Sequence, residues 1–295
     1  MLRNRIALLR SAQQVDEVEY VAGTMGDFAS RNESAGTIGV RFDANTVLDV
    51  QVGDCAMVRT DGGLPTGGEL SVVFCAIVGS RAHDAYTDES DVDRRGVYLP
   101  AARVQFSLDG GPAQIVHDAD QLCFWKAEKF MRLALKANPT VLETLYSPCI
   151  EIASQFVADR IESMKRRGVF LSKRAYDTFI GYADSQFAKM ERTRDRGNRF
   201  KWKHAMHLIR LLQVGIDVIK TGHLDVVVPE ERRKLLHGIK CGELDWPEVK
   251  RLRADLVAQF EEAFASTALP DEPDRAAANE FLVELRFALA REAAT

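Results

Sequence analysis

The sequence predicts an α+β protein, a small mixed α/β unit followed by a mostly helical domain. Up to about residue 125 the apolar residues come in short continuous runs bounded by Gly and Pro, as strands do; beyond it they recur every three or four residues, as helices do. The composition, 46% hydrophobic and 28% charged over 295 residues, is an ordinary globular one, enough for one large or two modest domains. The partition read from these patterns is an extension over residues 1–69, an α/β core over 70–125 and a helical domain over 126–295.

The extension offers the weakest pattern. A helix is expected around Ala12 to Phe28, then β-like pieces at TIGVRF, TVLDV and CAMVRT, and a Gly-rich loop, DGGLPTGG. LSVVFCAIV, residues 70–78, is a continuous apolar run suited to a buried strand; GVYLP and VQFSL follow, and QLCFW precedes a helix. In the helical part, Phe130, Met131 and Ala134 share a face, as do Ile152, Phe156, Val157, Ile161 and Met164, closed by Lys165, Arg166, Arg167 and Gly168. Ser172 is expected to cap a helix that buries Phe179, Tyr182, Ala183 and Met190; Ala205, Leu208, Ile209, Leu212 and Ile216 mark the next. Asp245 and Glu248 are placed to open a helix carrying Val249, Leu252, Leu256 and Phe260, and the last helix buries Phe281, Leu282, Leu285 and Leu289.

Composition also excludes classes of function. Five scattered cysteines form no CxxC, so they suggest neither a disulfide framework nor a zinc ligand set, and a reducing, cytoplasmic setting is expected. The opening MLRNRIALLRSA holds only the apolar run IALL, too short for a secretory signal, and no stretch approaches a membrane span. A net charge of -4 argues against a generally basic coat for nucleic acid while leaving room for local basic patches.

The chemistry gathers in VGSRAHDAYTDESDVDRRGVY, residues 78–98. A buried strand that ends in Gly79-Ser80 and turns toward a helix aims N–H groups and a hydroxyl at an anion. Asp91 and Asp93, two apart, project from one face of an extended segment, and carboxylates that close are best tolerated around a divalent cation such as Mg²⁺, which shares its ligands with substrate phosphates. An EF-hand loop starting at Asp91 fails, because Arg95 and Ala102 fall where an oxygen ligand and a glutamate are needed. A solvated acidic turn is the plain alternative for the Asp-x-Asp alone.

The order apolar strand, Gly79-Ser80, then Asp91-x-Asp93 resembles the nucleotidyltransferases of the DNA polymerase beta superfamily. More narrowly, GSRAH, SDVD-x-RGVYLP, KF-x-RLALKANPTVLETL, FIGYA, K-x-AMHLIRLL and S-x-ALPDEPD, in order from about residue 71 to 290, resemble the predicted nucleotidyltransferases associated with RNA ligases and RNA repair. The resemblance does not reach the first 70 residues. It implies a polymerase-beta-like core that moves a nucleotide from an NTP to an acceptor hydroxyl with Mg²⁺, or Mn²⁺ in its place, releasing pyrophosphate. Gly79, Ser80 and Arg81 then stand where nucleotide phosphates are held, and Asp91 and Asp93 where metals bind. A third carboxylate is expected on a neighbouring strand, with Asp120 the candidate and Asp118 the fallback. The family usually reads GSRAHG where this chain has Asp84, and an added carboxylate beside phosphates keeps open the alternative of a catalytically inactive nucleotide- or RNA-binding module of the same fold.

In the helical domain Lys129, Arg132 and Lys136 form one basic row, and Lys203, His207 and Arg210 another at i, i+4, i+7. Rows of this kind are ordinarily solvated faces; standing inside family-like blocks, Lys129, Lys203, His207 and Arg210 are assigned to nucleotide binding. His204 and His207 lack an evident third metal ligand. Asn138-Pro139 is expected to end a helix, and Glu143 carries no assignment. The segment ERTRDRGNRFKWKH interleaves Arg194, Arg196 and Arg199 with Phe200 and Trp202, which suits either RNA, with phosphates on the cations and a base on a ring, or an interhelical loop with its aromatics tucked into the core.

Overall fold

In a computed structural model of the chain, residues 70–83, 93–117, 122–148, 150–195 and 202–292 are described, together with the strand backbones of residues 5–9, 13–15, 18–20, 25–32, 37–41, 47–51 and 55–59. The architecture is α+β. The chain forms two compact units, each assembled from separate segments: one from residues 1–131, 147–164 and 276–295, the other from 132–146 and 165–275.

The first unit is built on a mixed sheet. The apolar run becomes β8 (Leu70–Val78), which follows seven short strands: β1 (Arg5–Leu9), β2 (Gln13–Val15), β3 (Val18–Tyr20), β4 (Met25–Asn32), β5 (Thr37–Arg41), β6 (Val47–Gln51) and β7 (Cys55–Arg59). It precedes β9 (Asp93–Pro100), β10 (Gln114–His117), β11 (Leu122–Lys126) and β12 (Ile150–Ile152). The strand order is β10-β11-β9-β8-β12-β7-β1-β4-β5-β6, with β2 and β3 paired apart. β8 and β9 run antiparallel from the Leu70–Pro100 rung to the Val78–Asp93 rung. β11 joins β9 in parallel, Leu122 opposite Arg94, and β12 joins β8 antiparallel and β7 in parallel.

Val73, Phe74, Ala76, Val97, Tyr98 and Leu99 are buried, as a strand covered on both faces requires. Phe130, on α2 (Ala127–Ala134), meets Phe74 edge to face with centroids 5.4 Å apart, a favoured aromatic geometry. Behind the short α1 (Ala102–Gln105), α2 and α3 (Pro139–Leu145) comes α4 (Gln155–Arg166), which buries Val157, Ala158, Ile161 and Met164. Gly168, with φ +62°, ends it as the basic and glycine signals foretell. Phe156, expected on that face, is 40% exposed and has the Arg160 guanidinium 5.9 Å from its ring centroid.

The second unit centres on α6 (Trp202–Thr221), buried from Leu208 to Ile216, with α5 (Arg174–Asp195), α7 (Glu230–Cys241) and α8 (Trp246–Ala265) around it. α8 opens with the foretold capping box: Glu248 N–H donates to Asp245 Oδ1 at 2.7 Å, and Asp245 N–H to Glu248 Oε2 at 2.6 Å. The final helix, α9 (Arg275–Glu292), buries Phe281, Leu282, Leu285 and Leu289 as its spacing requires.

Four expectations are corrected. The helix expected over Ala12 to Phe28 is replaced by β2, β3 and β4, because Gly23 and Gly26 and the valines around them disfavour a helix while β4 gains ladder partners in β1 and β5. Ser172 does not cap α5 with its side chain, since its buried hydroxyl has no hydrogen-bond partner among the described residues and the turn is closed by backbone bonds to the carbonyls of Ser172 and Lys173. Tyr182 is 42% exposed rather than buried. Asn138-Pro139 opens a helix instead of ending one: Val141 N–H donates to Asn138 Oδ1 at 3.2 Å, and Pro139 occupies the first turn of α3, where a missing N–H costs nothing. No helix among the described residues is long and apolar enough to cross a membrane.

Candidate functional site

The sheet prepares the turn that carries Gly79-Ser80. β8 stays extended to Val78, with φ -127° and ψ -175°; Gly79 then swings to φ +72° and opens a single 3-10 turn, Gly79–Arg81. That left-handed conformation costs a side-chain-bearing residue and costs glycine little. His83 N–H closes the turn on Gly79 O at 3.2 Å, and both Ala82 and His83 are buried beneath it. Among the described residues the expected turn toward a helix is this one 3-10 turn.

Asp93 arrives beside the turn because it is the first residue of β9 and the rung partner of Val78. Its carboxylate lies so close to Gly79 that a Cβ there would stand 2.8 Å from Asp93 Oδ2. The left-handed backbone favours glycine at position 79, and a side chain there would also have to displace the Asp93 carboxylate. The arrangement sets an oxygen donor of the kind Mg²⁺ prefers against the turn that bears Ser80 and Arg81, all three half-buried. Asp91, Asp120, Asp118 and Asp84 lie outside the described residues. Arg94 and Arg95 follow on β9, where Arg95 donates to the Arg94 carbonyl at 3.0 Å.

One carboxylate that the sequence reading passed over lies nearby in the sheet. Glu151 of β12 is opposite Cys75 of β8. Burial pushes the Cys75 thiol up to about 11, the Glu151 charge adds to the rise, and the Arg94 guanidinium opposes it. Nothing in its flanking sequence, SPCIEIAS, signals this position; β12 is a three-residue strand placed by its neighbours.

The basic rows divide. Lys129 Nζ donates to Gln114 Oε1 at 2.7 Å, which ties α2 to β10. α2 ends at Ala134, so Lys136 does not continue a helical row from Lys129 and Arg132. On α6, Lys203 is exposed and His207 half-buried, but Arg210 is only 6% exposed, and its Nη1 donates to Glu143 Oε1 of α3 at 2.7 Å. The plain alternative of a solvated face does not hold for Arg210: packing of α3 against α6 buries the pair.

His207 and Arg210 line a cavity of about 560 Å³ formed wholly within the second unit by α3, α5 and α6, whose wall also includes Glu143, Tyr182, Lys189 and His204. Trp202 packs its indole on Gly242, the left-handed residue that ends α7, with Nε1 3.0 Å from where a Cβ would stand. Arg196 and Arg199, and the side chain of Arg194, lie outside what the structure describes. Among the described residues, His237, Cys241 and Glu243 form an exposed group whose potential metal-ligand atoms lie within 4.8 Å of one another.

Three comparisons bear on this geometry. No solved structure matches the chain. An uncharacterized protein of Bacillus subtilis (strain 168), YcgL, is 28% identical over 99 residues, covering 32% of this chain and 38% of YcgL, so the chain aligns with well under half of that relative's length. Residues 64–284 match the RNA repair pathway DNA polymerase beta family, RlaP. That match takes in the Gly79-Ser80 turn, the strand that brings Asp93 to it and both helical rows, and with it the chain belongs to the RNA repair pathway DNA polymerase beta family.

Proposed function

We propose that the protein is a Mg²⁺-dependent nucleotidyltransferase that moves a nucleotide from an NTP to an acceptor hydroxyl, with RNA as the acceptor. The observation that carries this reading is the Asp93 carboxylate held against the Gly79 turn by the Val78–Asp93 rung. Family membership gives that juxtaposition its meaning, since the family is a polymerase-beta-type one tied to RNA repair.

In this reading Gly79, Ser80 and Arg81 bind the nucleotide phosphates through turn N–H groups, a hydroxyl and a guanidinium. Asp93 holds metal together with Asp91 and Asp120; Asp120 precedes by two residues Leu122, where β11 begins its parallel pairing with β9. When bound, Mg²⁺ would supply Lewis acidity toward the acceptor hydroxyl and charge neutralisation for the triphosphate. The chain's own contribution is positioning and preorganised charge. Lys129 adds a nucleotide contact, Lys203, His207 and Arg210 bind nucleotide within the second unit, and Arg194, Arg196, Arg199 and Trp202 meet RNA.

The test is pyrophosphate release with each NTP, Mg²⁺ and total cellular RNA, comparing the protein with Asp93→Ala. Release that depends on Mg²⁺ and disappears in the variant supports transfer. Nucleotide binding without release in the unaltered protein establishes the second reading, a binding module without turnover, which Asp84 beside GSRAH favours.

A further inference from the structure

We infer that the cavity between α3, α5 and α6 is a binding site of its own for a nucleoside phosphate monoester, the acceptor rather than the NTP. The inference deepens the transferase reading for His207 and Arg210 and depends on it for the word acceptor; the binding itself does not.

The cavity wall includes Arg210, which commits one donor, Nη1, to Glu143. A guanidinium presents its donors as a planar fork that matches phosphate oxygens. Around it the wall charge leans positive: the Arg210 and Glu143 charges cancel and Lys189 adds a full charge. An anion is the ligand that such a wall favours.

Size then narrows the class. About 560 Å³ lies within the usual span of small-molecule sites and far exceeds the needs of a bare phosphate ion. Pro139, Met190, Leu208 and Leu211 supply apolar surface beside the polar groups. Tyr182, 42% exposed, offers a ring at this wall on which a base can stack. Phosphate, apolar body and aromatic partner together describe a nucleotide, either free or at the phosphorylated end of an oligonucleotide.

The experiment is calorimetric titration of the full chain in EDTA, where metal-dependent triphosphate binding is silent. Adenosine 5′-monophosphate should bind, and adenosine should bind at least about tenfold more weakly. Lys189→Gln and His207→Gln should each weaken the monophosphate by about tenfold, whereas Asp93→Asn should leave its affinity unchanged. Lys189 is exposed, so its variant reports on binding even should His207→Gln unfold. A 5′-phosphorylated tetranucleotide that binds more tightly than the monophosphate makes the natural ligand a polynucleotide end; weaker binding makes it a free nucleotide. Absent binding, equal affinity for adenosine, or loss through Asp93→Asn with no response to Lys189→Gln overturns the inference. Failure of the transferase reading is seen separately, as absent pyrophosphate release.

Discussion

The Arg210–Glu143 pair allows a prediction whose magnitude follows from its burial. The side chains are 7% and 13% exposed and 2.7 Å apart, so neither charge has much water to fall back on. Glu143→Gln leaves the guanidinium buried without its counter-charge, which is expected to cost roughly 3 to 5 kcal/mol. Arg210→Met leaves the opposite problem, a buried carboxylate, and should cost a similar amount. The double substitution removes both charges and both desolvation penalties, so it should recover most of the loss and could exceed the original stability. Urea denaturation of the four proteins, read as a double-mutant cycle, gives a coupling energy well above the ~1 kcal/mol of an exposed ion pair. Single variants that each cost under about 0.5 kcal/mol, the usual effect of a surface change, would refute the claim that this pair is buried and coupled.

Four further outcomes can be measured. Gly79→Ala combines a left-handed backbone with a 2.8 Å approach to Asp93 Oδ2, so it should cost about 1 kcal/mol or more in stability and reduce transfer more than a remote Gly→Ala change does; unchanged pyrophosphate release would count against the site. Cys75, with its folded thiol pushed up to about 11 from 9.0, favours the folded state fully below pH 9 and loses that contribution as pH rises toward 11; at pH 8 mass mapping should find exposed Cys241 alkylated well before Cys75. Neutralising Arg194, Arg196 and Arg199 together should flatten the salt dependence of RNA binding by about one unit of slope for each phosphate left without a cation, and an unchanged slope removes RNA from that segment. Trp202→Ala should lower stability through poorer packing on Gly242 whatever its effect on RNA, so only a selective drop in affinity supports base stacking.

What could be read in the sequence was local. The run LSVVFCAIV had to be a buried strand, the capping residues Asp245 and Glu248 had to start α8, and the period of Phe281, Leu282, Leu285 and Leu289 had to place one face of α9 inside, because each signal is complete within a few residues. The Gly79-Ser80 and Asp91-x-Asp93 spacing pointed to a phosphate and metal site for the same reason. Tertiary structure decided what depends on partners far along the chain. Only the Val78–Asp93 rung shows that the carboxylate lies against Gly79, and only β4's ladder with β1 and β5 turns the expected N-terminal helix into strands. Arg210 looked like one more cation on a regular row; its burial depends on Glu143, 67 residues earlier. Charge spacing reveals which residues share a face, whereas the dielectric they meet is set by whatever packs on that face, and no short segment contains that information.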